Sequence, residues 1–251
     1  EILEKEQVLA ADRKNMKLGF VRPDTGEFEE ATSVQLRNNM RINKDEAVRK
    51  ACYEGLRTID DVVAGKLGEI VKLRNKLARS LGYTDFYDYN VSSVEGFSKK
   101  VLFETLDTLE IPSRDINTKA RAALAEAKKD EGYDPLAPWN TSFTLAGGVE
   151  EELSPYFPFE TAVETWGKSF AALGIKYRGS TLNLDLLDRK GKYSNGFCHW
   201  PTPSYRKADG TWVPSVANFT SLASPNTVGS GKTALKTLLH EGGHAAHFAN
   251  V

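Results

Sequence analysis

Apolar residues recur along the first half of the chain in steps of three, four and seven. Between residues 46 and 81 they fall at Val48, Cys52, Leu56, Ile59, Val63, Leu67, Ile70, Leu77 and Leu81, the spacing that keeps one face of an α-helix apolar. The pattern predicts one long helix, or two end to end, closing on Gly82 as C-cap. Gly55, Gly65 and Gly68 lie inside it, each costing about 1 kcal/mol against alanine, which leaves room for a kink. A second helical pair is expected over 98–110 and 114–131, divided at Pro112, which cannot continue the hydrogen bonding of the first helix, and ended by Gly132. The Pro and Gly residues between 135 and 158 predict a long irregular connection. Helical spacing then returns over 159–173, ahead of Gly174.

The period changes to two at Leu182, Leu184 and Leu186, which alternate with Asn183 and Asp185, as in a half-buried strand. The turn Arg189-Lys190-Gly191-Lys192 leads to a second strand through Phe197 and Trp200, so a hairpin is expected. Asp209-Gly210 marks another tight turn before a strand over 213–219. A last helix follows from Ser230, a good N-cap residue. The fold class is therefore mainly α, with a small antiparallel β-meander before the final helix. The expected organisation is a helical region over 1–153 and a second region over 154–251, or one continuous domain.

Bulk composition narrows the classes further. The 251 residues carry 33 basic against 34 acidic side chains, so no global field draws the chain to nucleic acid or an anionic membrane. Two cysteines far apart, Cys52 and Cys198, make no disulfide framework and suit a reducing compartment. No long apolar run or signal-peptide pattern is visible, and the cytoplasm is the expected location. The chain begins on Glu1 rather than Met and stops at Val251 inside an apolar helical pattern, so both ends read as cuts.

The chemistry concentrates in the final helix. Of four histidines, His240, His244 and His247 lie within the last twelve residues. On a helix, positions i and i+4 share a face, so His240 and His244 can direct imidazole nitrogens at one zinc ion about 2 Å away. Glu241, rotated by about 100°, borders the open side of that ion, where it can act as the general base for a water attacking an amide carbonyl. Surface histidines spaced so by accident are the bland alternative; His-Glu-x-x-His arises by chance on the order of once in two hundred chains of this composition. Gly242 and Gly243 cost about 2 kcal/mol together in mid-helix, which calls for close packing of backbone or substrate as compensation, or else a local kink. His247 is three residues past His244, not the six at which related motifs place a third histidine ligand, so it reads as a supporting residue or as helix surface. His199 reads as a satisfied strand residue.

Two other patterns compete. Gly229-Ser230-Gly231-Lys232-Thr233 resembles a phosphate-binding loop, but the glycine required five residues before the Gly-Lys pair's glycine is Asn226. Nucleotide binding through Gly229 to Thr233 is thus a minor alternative. Asn-x-Ser/Thr triplets begin at Asn90, Asn140 and Asn218, and chance explains so short a pattern.

Beyond the short motif, TALKTLLHEGGHAAHF, starting at Thr233, resembles the active-site helix of the thimet oligopeptidase and oligoendopeptidase F family of zinc metallopeptidases. LDLLDRKGKYSNGFCHW, starting at Leu184, resembles that family's strand, turn and second strand. Val216-Ala217-Asn218-Phe219-Thr220 and Pro155-Tyr156-Phe157-Pro158 also match it, and LRNKLARSLGYTDFYDY is the most similar piece of the helical half.

The resemblance implies a mostly helical oligopeptidase whose channel, walled in part by 1–153, admits short peptides. It assigns one zinc ion to His240 and His244, the general base to Glu241, and backbone contacts with substrate to the strand around Gly196, Phe197 and Cys198. The family usually has a bulky residue where this chain has Gly242. Its third zinc ligand is a glutamate on a helix that would fall beyond Val251, with transition-state-stabilising His and Tyr residues further on. A chain of this kind is expected to be inactive until that C-terminal part is supplied, on the same or a separate polypeptide. A catalytically silent peptide-binding protein of the same fold is the alternative from another class.

Overall fold

The chain opens with helix α1 (Ile2–Asn15), an antiparallel hairpin of β1 (Gly19–Val21) with β2 (Phe28–Glu30), and α2 (Ser33–Ile42), as described by a computed structural model of residues 1–251. The stripe over 46–81 folds as two helices, α3 (Glu46–Arg57) and α4 (Ile59–Ser80), broken at Thr58; Gly82 follows at φ +89°. The Asp85 side chain accepts a hydrogen bond from the amide of Asp88 to start α5 (Phe86–Glu95), which ends at Gly96 in the left-handed region. Next comes α6 (Lys99–Ala127), which runs unbroken through Pro112 and so corrects the expected division into two helices. The helix buries none of its residues, so the carbonyl that Pro112 leaves without a donor can be satisfied by water.

The expected irregular connection also contains a helix, α7 (Thr141–Leu153), despite Gly147 and Gly148. Glu150 supplies a reason: its carboxylate is buried with Lys232 at 2.7 Å and Arg41 at 3.7 Å, a tertiary anchor that outweighs weak local propensity. After two 3-10 turns the chain continues through α8 (Ala162–Ala172), β3 (Thr181–Leu187), β4 (Phe197–Thr202), β5 (Tyr205–Arg206), β6 (Trp212–Val213), β7 (Val216–Ala223) and α9 (Ser230–Asn250). No helix is long and apolar enough to cross a membrane. The chain divides into two compact units, 1–30 with 45–144 and 31–44 with 145–251.

In the first unit α1 lies along α4, with Lys5 paired to Glu69 at 2.8 Å and Lys66 paired to Asp12. Gly55 repays its helical cost, because a Cβ there would sit 2.1 Å from the carbonyl oxygen of Gly19, where α3 crosses β1. Arg49 is fully buried; its Nε donates to Asn140 Oδ1 at 2.9 Å, and its guanidinium lies over the rings of Tyr133 and Phe143. Trp139 and Asn140 both donate to Glu46, so the buried cation and the carboxylate share one hydrogen-bonded network.

The second unit is built on a three-stranded sheet in the order β3-β7-β4, with β3 parallel and β4 antiparallel to β7. This corrects the expected meander: the strands before and after the Arg189-Lys190-Gly191-Lys192 turn are not partners but flank β7. The central strand buries alternate residues, among them Ala217, Phe219, Ser221 and Ala223, so burying both its edges satisfies the most deeply placed backbone. Lys192, its side chain only 5% exposed, donates to the carbonyls of Asp185, Leu187 and Ser221 and fixes the turn across β3 and β7. Against this sheet, Trp166 and Phe170 of α8 meet Ala234 and Leu238 of α9 in one apolar core.

Asp185 makes this corner sensitive to acid. Hydrogen bonds from Arg189 and then from Lys192 hold its carboxyl well below the ordinary carboxylate range. A depressed native pKa adds stability above the unfolded value, near 3.9, and loses it as pH falls toward the native one. Asp185→Asn should therefore lower the unfolding midpoint at pH 7, and the gap from the parent protein should close in scans taken below about pH 4. A gap unchanged with pH would contradict this.

Candidate active site

Helix α9 is cut into two faces by its own sequence. Ala234, Leu238, Glu241, Gly242, Ala245 and Ala249 form the buried face, recurring in steps of three and four. His240, His244 and His247 lie on the exposed face. The rings of His240 and His244 stand 5.0 Å apart, centroid to centroid, at 84°, close enough for one nitrogen of each to reach a common ion by rotation about their side-chain bonds. Glu241 is 7% exposed, and its Oε1 lies 4.0 Å from His240 Nε2. A pair of imidazole nitrogen donors beside a shielded carboxylate is a donor set that fits zinc. No third His, Cys, Asp or Glu joins them.

The helix is held in register from below. Gly242 sits on the indole of Trp166, so closely that a Cβ would come within 2.4 Å of Nε1 and 2.8 Å of Cε2. Tyr177 donates its hydroxyl to the Gly242 carbonyl at 2.9 Å, and burial pushes the pKa of that hydroxyl up to about 12, keeping it a donor. The close packing that mid-helix glycines call for is thus present at Gly242. At Gly243 nothing lies within 4 Å of the place a Cβ would take, and nothing in the structure explains the glycine there. Neither Trp166 nor Tyr177 stands out in the sequence; the signal that could have found Trp166 is Gly242 itself, since a missing side chain in mid-helix asks for a large partner.

Strand β4 lies beside α9. A Cβ on Gly196 would meet Thr237 Cγ2 at 2.8 Å. The Cys198 thiol is pushed up to about 11, first by burial and second by the charge of Glu241. Phe197 points away, 40% exposed. As an outer strand, β4 has one edge paired with β7 and the other unpaired. His199 is exposed on β4, opposite Asn218, and His247 lies edge-on to Phe248 at 5.9 Å. Of the residues that the sequence singles out, the fold thus brings His240, Glu241, His244 and Cys198 together and leaves His199 apart.

The phosphate-loop pattern is occupied by protein contacts. Gly229, at φ +74°, caps α9 in place of the expected Ser230, whose Oγ instead accepts the Ser224 amide. A Cβ on Gly231 would lie 1.7 Å from the Phe157 carbonyl oxygen, and Lys232 is turned to Glu150. Backbone and side chain both face protein at the positions where a phosphate cradle would need to be open.

A sequence model of peptidase family M3 matches residues 39–249. Oligopeptidase A of Haemophilus influenzae is 27% identical over 219 residues, covering 71% of this chain and 32% of that protein. The chain thus spans about a third of the length of the curated relative it matches.

Proposed function

The chain belongs to peptidase family M3, and from that premise we propose that it carries part of the active site of a zinc-dependent oligopeptidase acting on short peptides. The observation that carries the reading is the division of α9, with His240 and His244 adjacent on the exposed face and Glu241 shielded on the side of β4.

His240 and His244 would hold the ion, with the third ligand a helical glutamate beyond Val251, on the same or a separate polypeptide. Bound zinc would supply a Lewis acid that polarises the scissile carbonyl and acidifies water. Glu241 takes the proton of the attacking water at its carboxylate and passes it to the leaving amine. Low exposure limits competing water around that carboxylate, and the Trp166 floor under Gly242 fixes the helix that presents it. The unpaired edge of β4, at Gly196, Phe197 and Cys198, offers backbone groups to an extended peptide, which aligns it along α9. His247 borders the ligand face from the next turn.

Treating the naturally expressed protein with a zinc chelator should abolish hydrolysis of a quenched fluorescent peptide, and added zinc should restore it. Hydrolysis that persists at full rate without the metal would refute the proposal.

A further inference from the structure

Trp200 is large, apolar and 46% exposed on β4, yet its ring is stacked on Phe248 at 3.8 Å and 28°. Phe248 in turn lies nearly parallel to the ring of His244, at 6.4 Å and 18°. Three roughly parallel rings thus run from the strand to a candidate metal ligand. Their place is set by the contacts between β4 and α9. Gly196, just ahead of β4, lies against Thr237, Cys198 is within range of the Glu241 charge and Trp200 stacks on Phe248, so these three alternate residues turn toward the helix, ahead of the irregular register between His199 and Thr202, and the two elements run in the same direction. The rises agree: four residues of strand cover about 13 Å, and the eleven of helix from Thr237 to Phe248 about 16 Å.

A peptide extended along the open edge of β4 alternates its side chains in the same way. One side chain then lies beside Cys198 and Glu241, and another, two residues along, lies beside Trp200. We propose that Trp200, braced by Phe248, is a specificity-determining residue: the floor of a subsite that takes an aromatic or large aliphatic side chain of the substrate, two residues from the one beside Glu241. The inference rests on the peptidase reading above. An aromatic ring offers such a side chain both apolar burial and an offset or edge-to-face contact. Bracing by Phe248 means that the indole need not be ordered when the peptide arrives, which lowers the cost of binding. A charged side chain would give up water for an apolar ring there.

The test is a set of quenched peptides in which one position at a time is Ala, Leu, Phe or Glu, cleaved by the naturally expressed protein and by its Trp200→Ala and Trp200→Leu variants. The parent should favour Phe over Ala about tenfold in kcat/KM at one position. Trp200→Ala should reduce that preference to about twofold or less, leaving the preferences at all other positions unchanged. Trp200→Leu keeps apolar bulk if the alanine variant is insoluble; it should retain selection against Glu and lose the advantage of Phe over Leu. A preference that survives both substitutions, or a parent with no such preference, overturns the subsite while the peptidase reading stands. A parent that cleaves none of the peptides with zinc present overturns both.

Discussion

Replacing Glu241 with glutamine is expected to lower kcat by about 10²–10⁴-fold, with KM and the unfolding midpoint close to those of the parent protein. Glutamine keeps the size and one carbonyl oxygen of the side chain, so the shielded position against β4 stays filled. What it loses is the capacity to take a proton, the one role that the chemistry demands of Glu241. The loss corresponds to about 3–5 kcal/mol of transition-state stabilisation, larger than any packing effect expected of so conservative a change. A fall confined to kcat marks an interaction made only in the transition state, whereas a rise in KM alone would mark a binding residue. Steady-state kinetics on one quenched peptide, with a melting curve for each protein, decides the matter. Undiminished turnover in the glutamine variant would remove Glu241 from the mechanism. A parent protein that binds the peptide at the same affinity as the variant and never cleaves it would favour a silent binder.

What could be seen in the sequence was what short-range geometry governs. The four-residue step from His240 to His244 is a property of one helix, so their shared face needed no knowledge of the rest of the chain. The same rule turns Glu241 away from them, and the structure adds that this direction is the sheltered one. Contacts between distant segments were not legible. The place of β7 between β3 and β4 depends on which strand is worth burying on both edges, and the 188–196 link gives no sign that it will cross rather than turn back. Pro112 and the Gly147-Gly148 pair misled in opposite ways: the proline lies in a helix with no buried residues, while Glu150, two residues past the glycines, is anchored by buried ion pairs. Trp166 was hidden for the same reason as the strand order, since its partner Gly242 lies far along the chain.

That hidden contact yields the second large effect. Gly242→Leu should destabilise the protein by about 3 kcal/mol or more. Alanine at position 242 would gain about 1 kcal/mol of helix propensity, but its Cβ would lie 2.4–2.9 Å from Nε1, Cε2 and Cζ2 of Trp166. The indole cannot retreat easily. It is 7% exposed and packed against the rings of Phe170, Tyr177 and Phe219, so the overpacking cost of about 1–3 kcal/mol meets or exceeds the propensity gain even for alanine. For leucine the misfit grows while the gain does not. Relief would have to come from lifting α9 off its floor, which would also strain the bond from Tyr177 to the Gly242 carbonyl and displace Glu241 and His240 together. Gly243→Ala is the matched control on the same helix: with open space around its Cβ it should be neutral or stabilising by up to about 1 kcal/mol. Trp166→Ala should be harmful alone yet less so when combined with Gly242→Leu, because each change vacates or fills the same space. Thermal unfolding of the four variants resolves the case, and equal effects of substitution at 242 and 243 would show that Trp166 is not what requires the glycine.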